Sequence, residues 1–161
     1  MTDLPAHPHR DETEPERYDR NLVELMGELR VALPGVQVLF AFLLVVPFQQ
    51  RFARVSHFER DLYFATLLLA LLASTLLIAP TVLHRIVFHQ GAKAYVVRTA
   101  NQLTIAGLAV LACGLTSAAS LITHFLLGQT ATIVVAAVVG LTVTLVWFAL
   151  PLRHRLRGTG A

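Results

Sequence analysis

Polar side chains recur along one stripe of an otherwise apolar segment in the last third of the chain. Thr116, Ser117 and Ser120 are followed by Thr123 and His124, a spacing that places all five near one face of a helix. Hydroxyls and an imidazole aligned in this way could line a hydrated cavity or an ion path. Alternatively, each hydroxyl donates to a carbonyl of its own helix. We favour this second interpretation and keep the path as a hypothesis.

Three amides extend the candidate path. Gln37 lies in the first apolar run, whereas Asn101 and Gln102 follow a basic loop and are expected near the membrane interface. Amides also pair helices, so their presence alone does not define a path. The candidate polar path comprises Gln37, Asn101, Gln102, Thr116, Ser120 and His124.

Carboxylates are confined to the first part of the chain. All ten lie between Asp3 and Asp61, and the run between Arg98 and Arg153 has no formal charge. No Ser-His-Asp set, phosphate-binding glycine loop or zinc-ligand spacing of histidines is present. The single cysteine, Cys113, excludes a disulfide framework within the chain. We therefore expect no enzyme, no cofactor, no metal site and no nucleic-acid partner.

The composition is that of an integral membrane protein. Hydrophobic residues make up 55% of the 161-residue chain and charged residues 14%, against roughly a quarter charged in soluble domains. Apolar runs at residues 31–50, 62–84, 101–126 and 131–150 each match the ~20 residues that cross a bilayer. The uncharged stretch 99–152 is too long for one crossing and is expected to turn at residues 127–130. Because backbone groups must be hydrogen-bonded within lipid, these runs predict an all-α, four-helix transmembrane bundle over residues 31–152.

The flanking segments differ in charge. Residues 1–12 are predicted to be a disordered acidic tail, and residues 153–161 a basic tail. Residues 13–30 form an amphipathic juxtamembrane helix, beginning with the capping-box pattern of Thr13 and Glu16. Its apolar face, from Tyr18 to Leu29, could lie on the bilayer surface, bind a protein partner or pack on the bundle itself.

Basic residues predict the orientation. Ten arginines and lysines fall on the side of the termini and three (Arg51, Arg54 and Arg60) on the other, which predicts that both termini are cytoplasmic. The basic residues expected to contact lipid headgroups are Arg85, Lys93, Arg98, Arg153, Arg155 and Arg157.

Small residues mark the last two spans. Ala109, Cys113 and Ser117 form one row at helical spacing, and Ala136 and Gly140 form another. Such rows let helix backbones approach closely in lipid. They favour tight packing within the bundle, or a homo-oligomer formed through spans three and four.

Several sequence runs carry a resemblance to a known family. They are residues 28–31, 35–44, 47–52, 79–85, 97–101 and 150–151. The chain beyond its acidic head resembles a family of small bacterial four-span membrane proteins described only as a domain of unknown function. The resemblance implies a bacterial plasma-membrane protein and supplies no catalytic residues.

Some members of that family are labelled sodium:proton antiporter. Cation–proton exchange usually relies on a carboxylate within the membrane, but the nearest acids (Glu28, Glu59 and Asp61) lie at span ends. His124 alone is a poor sodium ligand, because hard cations prefer oxygen. We therefore expect a non-enzymatic scaffold or accessory subunit. The alternative is a small oligomeric transporter or channel subunit.

Overall fold

The computed structural model describes residues 13–87 and 93–153, and these form four long helices. They are α1 (Glu14–Val45), α2 (His57–Val87), α3 (Lys93–Leu127) and α4 (Gln129–Thr144). All four are long and apolar enough to cross a membrane, the last as the continuous segment Gln129–Arg153, about 37 Å at 1.5 Å per residue. The predicted all-α, four-helix membrane architecture is confirmed, and the chain is a multi-pass membrane protein.

Helix α1 begins with a capping box at Thr13. The Thr13 backbone N–H and hydroxyl donate to the Glu16 carboxylate at 2.9 and 2.8 Å. These hydrogen bonds, the backbone one first, lower the pKa of Glu16 at this charged end of the helix. α1 then continues through Pro34 to Val45, so the amphipathic segment and the first span are one helix.

α2 begins at His57, five residues before the predicted start of the second span. Glu59 accepts hydrogen bonds from the Ser56 N–H (2.7 Å) and hydroxyl (2.8 Å), while its own N–H donates to the Ser56 hydroxyl oxygen (3.2 Å). This is a second capping box, which starts the helix inside the segment predicted to be a polar loop. Two 3-10 turns, Val46–Phe48 and Gln50–Arg54, fill the rest of the α1–α2 connection.

A single residue, Gly128, separates α3 from α4, where the sequence predicted the turn. Its φ of 81° is in the left-handed region that glycine adopts without a steric penalty. After Thr144, α4 continues as a π-helical turn over Leu145–Ala149. Pro151 follows after one residue, Leu150, and the wider turn accommodates a residue that has no N–H and would clash with the preceding turn of an α-helix.

The helices α1, α2 and α3 form a three-helix core. Leu29 and Val36 of α1 are buried against Ala73 and Leu77 of α2 and Leu111 of α3. Leu43, Tyr63 and Ala70 form a second buried cluster nearer the α1–α2 loop. Within the described ranges, α4 contacts α3 and no other helix, and none of its residues is buried. α4 therefore lies beside the core rather than inside it.

Consecutive helices run antiparallel. Tyr63 meets Leu43 while Thr81 meets Met26, so α1 and α2 run in opposite directions. Thr66 meets Ser117 while Leu77 lies against Gly107, so α2 and α3 do as well. Residues 13 and 153 thus lie at one end, the termini end. The α1–α2 loop and Gly128 lie at the other, the loop end.

Candidate functional site: a hydroxyl-lined groove beside α4

Because α4 contacts only α3, a groove of about 420 Å³ remains between α2, α3 and α4. We call it the hydroxyl groove. Its floor is α3, and its two walls come from the start of α2 and the middle of α4. The lining residues are Leu62, Ala112, Cys113, Thr116, Ser117, Ser120, Gly140 and Thr144.

Small residues at the α3–α4 contact set the shape of the groove. A Cβ placed on Gly140 would lie 3.7 Å from the Thr116 methyl group, so the α4 backbone lies close to that side chain. On the other side of α3, a Cβ at Gly114 would lie 3.6 Å from the Leu69 Cβ. The α3 helix is therefore in close contact with both neighbours. Of the small residues singled out from the sequence, Gly140 takes part in this packing, whereas Ala109 and Cys113 are exposed.

The hydroxyls of the groove donate within the chain. The Thr116 hydroxyl donates to the Ala112 carbonyl at 2.8 Å, and that of Ser120 to the Thr116 carbonyl at 2.7 Å. Thr123 donates in the same way to Ala119. The interpretation favoured from the sequence, hydroxyls bonded to carbonyls of their own helix, is confirmed for these three residues.

Ser117 is bonded differently, to a residue that the sequence analysis did not identify. Thr66 of α2 is fully buried, and its Oγ1 lies 2.6 Å from the Ser117 Oγ. Thr66 also donates to the Leu62 carbonyl at 2.7 Å. Because a hydroxyl has one hydrogen, Thr66 donates to Leu62 and Ser117 donates to Thr66. A lone threonine in a leucine-rich run gave no sequence signal for this contact.

The groove therefore presents mainly hydrogen-bond acceptors. The hydrogens of Thr116, Ser117 and Ser120 are already used, whereas their oxygen atoms retain lone pairs. Thr144, on the opposite wall, is exposed, and its hydroxyl has no hydrogen-bond partner among the described residues. Such a surface can accept hydrogen bonds from water or from a neighbouring helix.

His124 lies outside the hydroxyl groove. It occupies the last turn of α3 and lines a separate pocket of about 400 Å³ with Phe58, Gln129, Thr132 and Ile133. Its ring meets the Phe58 ring edge-on, with centroids 5.1 Å apart. Its Nδ1 is buried and has no hydrogen-bond partner among the described residues. We call this second space the His124 pocket.

The three amides of the candidate path are elsewhere. Gln37 is exposed on α1, a helix that does not line the groove. Asn101 and Gln102 are exposed on α3, about 21 Å along the helix from Thr116. Of the six residues, the fold brings together only Thr116 and Ser120.

Among the described residues, no charged side chain lines the groove. Glu28 and Asp61 are exposed, and Glu59 caps α2. Within residues 13–87 and 93–153, no group of three His, Cys, Asp or Glu side chains comes together. Arg85, Arg98 and Arg153 are exposed at the termini end, and Lys93 begins α3. Arg155 and Arg157 lie outside the described residues, as does the predicted acidic tail (residues 1–12). Of the predicted basic tail (residues 153–161), only Arg153 is described.

The apolar face of the N-terminal segment packs on the chain itself. Leu29 is 3% exposed in the cluster with Ala73 and Leu77, and Leu25 packs against that cluster. Met26 Sδ accepts a hydrogen bond from the Thr81 hydroxyl at 3.6 Å. Leu25, Met26 and Leu29 therefore pack on the bundle, and binding of a protein partner or the bilayer surface by the rest of this face stays a prediction.

Comparison with known proteins gives a family but no activity. A family model described as "Family of unknown function (DUF6328)" matches residues 11–151. No curated protein matches the chain. No solved structure matches it either.

Proposed function

The chain belongs to DUF6328, a family of unknown function, and from this premise we propose that it is a non-enzymatic membrane protein that acts through assembly. It serves as a scaffold or accessory subunit, and it assembles through α3 and α4. The observation that carries this proposal is the position of α4, which packs on α3 alone and leaves the hydroxyl groove open.

The exposed surface of α4 suits a helix partner. Ile133, Val138 and Leu141 are 64%, 58% and 62% exposed. In lipid, apolar area alone does not drive helices together, so association depends on close packing and on hydrogen bonds between helices. The hydroxyl groove supplies both, since it combines small side chains with oxygen lone pairs.

A second copy of the chain is the simplest partner. Ala109 and Cys113 are exposed one helical turn apart on α3, and Cys113 lines the groove. In a two-fold dimer, the same face of both copies meets at the axis. Two α3 helices crossing there would place the two Cys113 residues near each other.

Cysteine cross-linking tests this proposal directly, because Cys113 is the only cysteine of the chain. Mild oxidation of membranes containing the wild-type protein should give a disulfide-linked dimer, since Cα atoms within about 7 Å can be bridged. Replacing the exposed Ala109 by Leu should reduce the dimer band. The matched control moves the cysteine to α1: it carries Cys113→Ser together with Val38→Cys. Val38 is exposed, and this control should remain monomeric because α1 is not part of the proposed interface. A dimer band equally strong in the control would indicate random collision and contradict the α3–α4 interface.

A small oligomeric transporter or channel subunit is the second candidate. The unpartnered Nδ1 of His124 and the lone pairs of the groove support it, because both could contact water or a hydrated ion. The dispersed positions of the six candidate residues, and the exposed or capping roles of Glu28, Glu59 and Asp61, favour assembly instead. We place both termini in the cytoplasm of a bacterial plasma membrane, as the basic residues predict.

A further inference from the structure

A third cavity lies at the loop end, between the α1–α2 loop, the start of α2 and the end of α3. Its volume is about 240 Å³, larger than the roughly 150 Å³ of an engineered apolar cavity that binds benzene. We call it the loop cavity. Its lining consists of Val46, Gln49, Phe52, Val55, Glu59, Tyr63, Leu121, Ile122, Phe125 and Leu126.

The polar groups of two lining residues are already used. The Tyr63 hydroxyl donates to the Leu43 carbonyl at 3.0 Å, and the Glu59 carboxylate accepts from Ser56. The rings of Phe52 and Tyr63 meet edge-on at 5.2 Å and form an apolar wall. A ligand that needs hydrogen bonds would lose those it makes to water on entering, whereas an alkyl chain would lose none.

Exposed apolar side chains form one side of the cavity. Ile122, Phe125 and Leu126 line it and are 61%, 49% and 67% exposed, and apolar side chains this exposed on a membrane-spanning helix are expected to face lipid. An alkyl chain can therefore enter from the leaflet at the loop end without crossing water.

Basic residues lie next to the cavity along the chain. Arg54 precedes the lining residue Val55, and Arg60 follows the lining residue Glu59; both arginines are exposed. Two acids lie in the same region: Asp61 is exposed, and the hydrogen bonds from Ser56 leave the Glu59 carboxylate charged. The exposed guanidinium groups of Arg54 and Arg60 are the groups here that attract a phosphate. Guanidinium groups bind phosphate through paired, charge-assisted hydrogen bonds. The loop end thus combines the apolar loop cavity with two arginines that can bind a phosphate.

We propose that the loop cavity binds one phospholipid of the leaflet at the loop end. One acyl chain fills the space between Phe52, Tyr63 and Phe125, and the phosphate lies against Arg54 and Arg60. This site is separate from the proposed assembly face: no α4 residue lines the cavity, and the α3 residues that line it lie between Leu121 and Leu126, whereas the assembly face contains Ala109 and Cys113.

Native mass spectrometry of the full chain, after removal of co-purified lipid by detergent, tests the proposal. The probes are palmitoyl-oleoyl phosphatidylglycerol and the matching phosphatidylcholine, each added in a titration. Wild-type protein should retain one lipid per chain above the background, with several-fold stronger retention of phosphatidylglycerol. Ile122→Trp, at an exposed lining position, should remove this lipid by filling the cavity. Ile105→Trp is the matched control, since Ile105 is 50% exposed on the same helix and does not line the cavity.

The variants test the acyl-chain contact in the loop cavity and the phosphate contact at the arginines separately. Equal retention by Ile122→Trp and Ile105→Trp, or loss in both, would overturn the loop cavity as the site. Arg54→Gln with Arg60→Gln should keep the lipid but abolish the preference for phosphatidylglycerol. An unchanged preference would overturn the assignment of the phosphate to these arginines. Leu121→Phe, at a half-buried lining position, provides a second filling variant and should also weaken retention.

Discussion

The hydroxyl oxygens of Thr66 and Ser117 lie 2.6 Å apart and join α2 to α3 deep in the bundle. Thr66 is fully buried, and Gly114 lies close to Leu69 and Ala70 one turn away. The short side chains bring the two helices close, and the close approach in turn allows hydroxyls to meet across the interface. Ser117 of this pair also lines the hydroxyl groove.

Replacing Thr66 by Val should destabilise the protein by about 1 kcal/mol. Valine keeps the shape of threonine but cannot accept the Ser117 hydrogen, and hydrogen bonds between membrane helices average about 0.6 kcal/mol with a maximum near 1.7. Unfolding in mixed detergent micelles measures the change. Ser117→Ala should cost a similar amount, and the double variant less than the sum of the two. Thr75→Val is the control, because Thr75 is exposed and donates only to its own helix at Leu71; an equal loss there would show that the interhelical bond is not the cause.

Replacing Gly107 by Ala should destabilise the fold, whereas the same change at Gly35 should not. A Cβ at Gly107 would lie 2.9 Å from the side chain of Leu77, which is fully buried and has little room to move. Overpacking of this kind costs roughly 1–3 kcal/mol. Gly35 has nothing within 4 Å, so alanine there should be neutral or stabilising by up to about 1 kcal/mol. Melting temperatures of the two purified variants test the difference, and a similar decrease in both would contradict the α2–α3 contact.

Tyr63→Phe should lower stability by about 1 kcal/mol while leaving the helical content unchanged. The variant loses the hydrogen bond to the Leu43 carbonyl but keeps the ring contact with Phe52. The loss is modest because the Val46 N–H also donates to that carbonyl. Tyr95→Phe, at a 59% exposed position, serves as the reference. Detergent unfolding followed by circular dichroism measures both, and equal stabilities would argue against the α1–α2 hydrogen bond.

His124→Leu separates the two candidate functions. Its Nδ1 has no partner among residues 13–87 and 93–153, so the substitution removes no hydrogen bond of that atom and should change stability little. If the protein acts by assembly, proteoliposomes should show no ion flux above empty vesicles, with or without Gln37→Leu and His124→Leu.

A pH-sensitive dye under imposed sodium, potassium and proton gradients reads out that flux. If the wild type shows ion flux and the double variant, Gln37→Leu with His124→Leu, does not, transport becomes the favoured function over assembly. Retained Cys113 cross-linking in the same double variant would show that the substitutions left the interface intact.

Much of the fold follows from local sequence. Uncharged runs of bilayer length predict the helices, because every backbone group in lipid must be hydrogen-bonded within the segment. Gly128 predicts the α3–α4 turn for a similarly local reason, its freedom to adopt a positive φ. The Ser56–Glu59 capping box could have been found from the sequence too, since it has the same pattern as Thr13 and Glu16.

The tertiary structure decided which side chains meet. The position of α4 on α3 alone, the pairing of Thr66 with Ser117 and the separation of Gln37 from Thr116 all depend on the rotation and register of helices against one another. Apolar runs do not specify these, because lipid solvates every face of a hydrophobic helix about equally well. Only close contacts at glycine and pairs of polar groups distinguish one packing from another, and both kinds of contact join residues far apart in the chain.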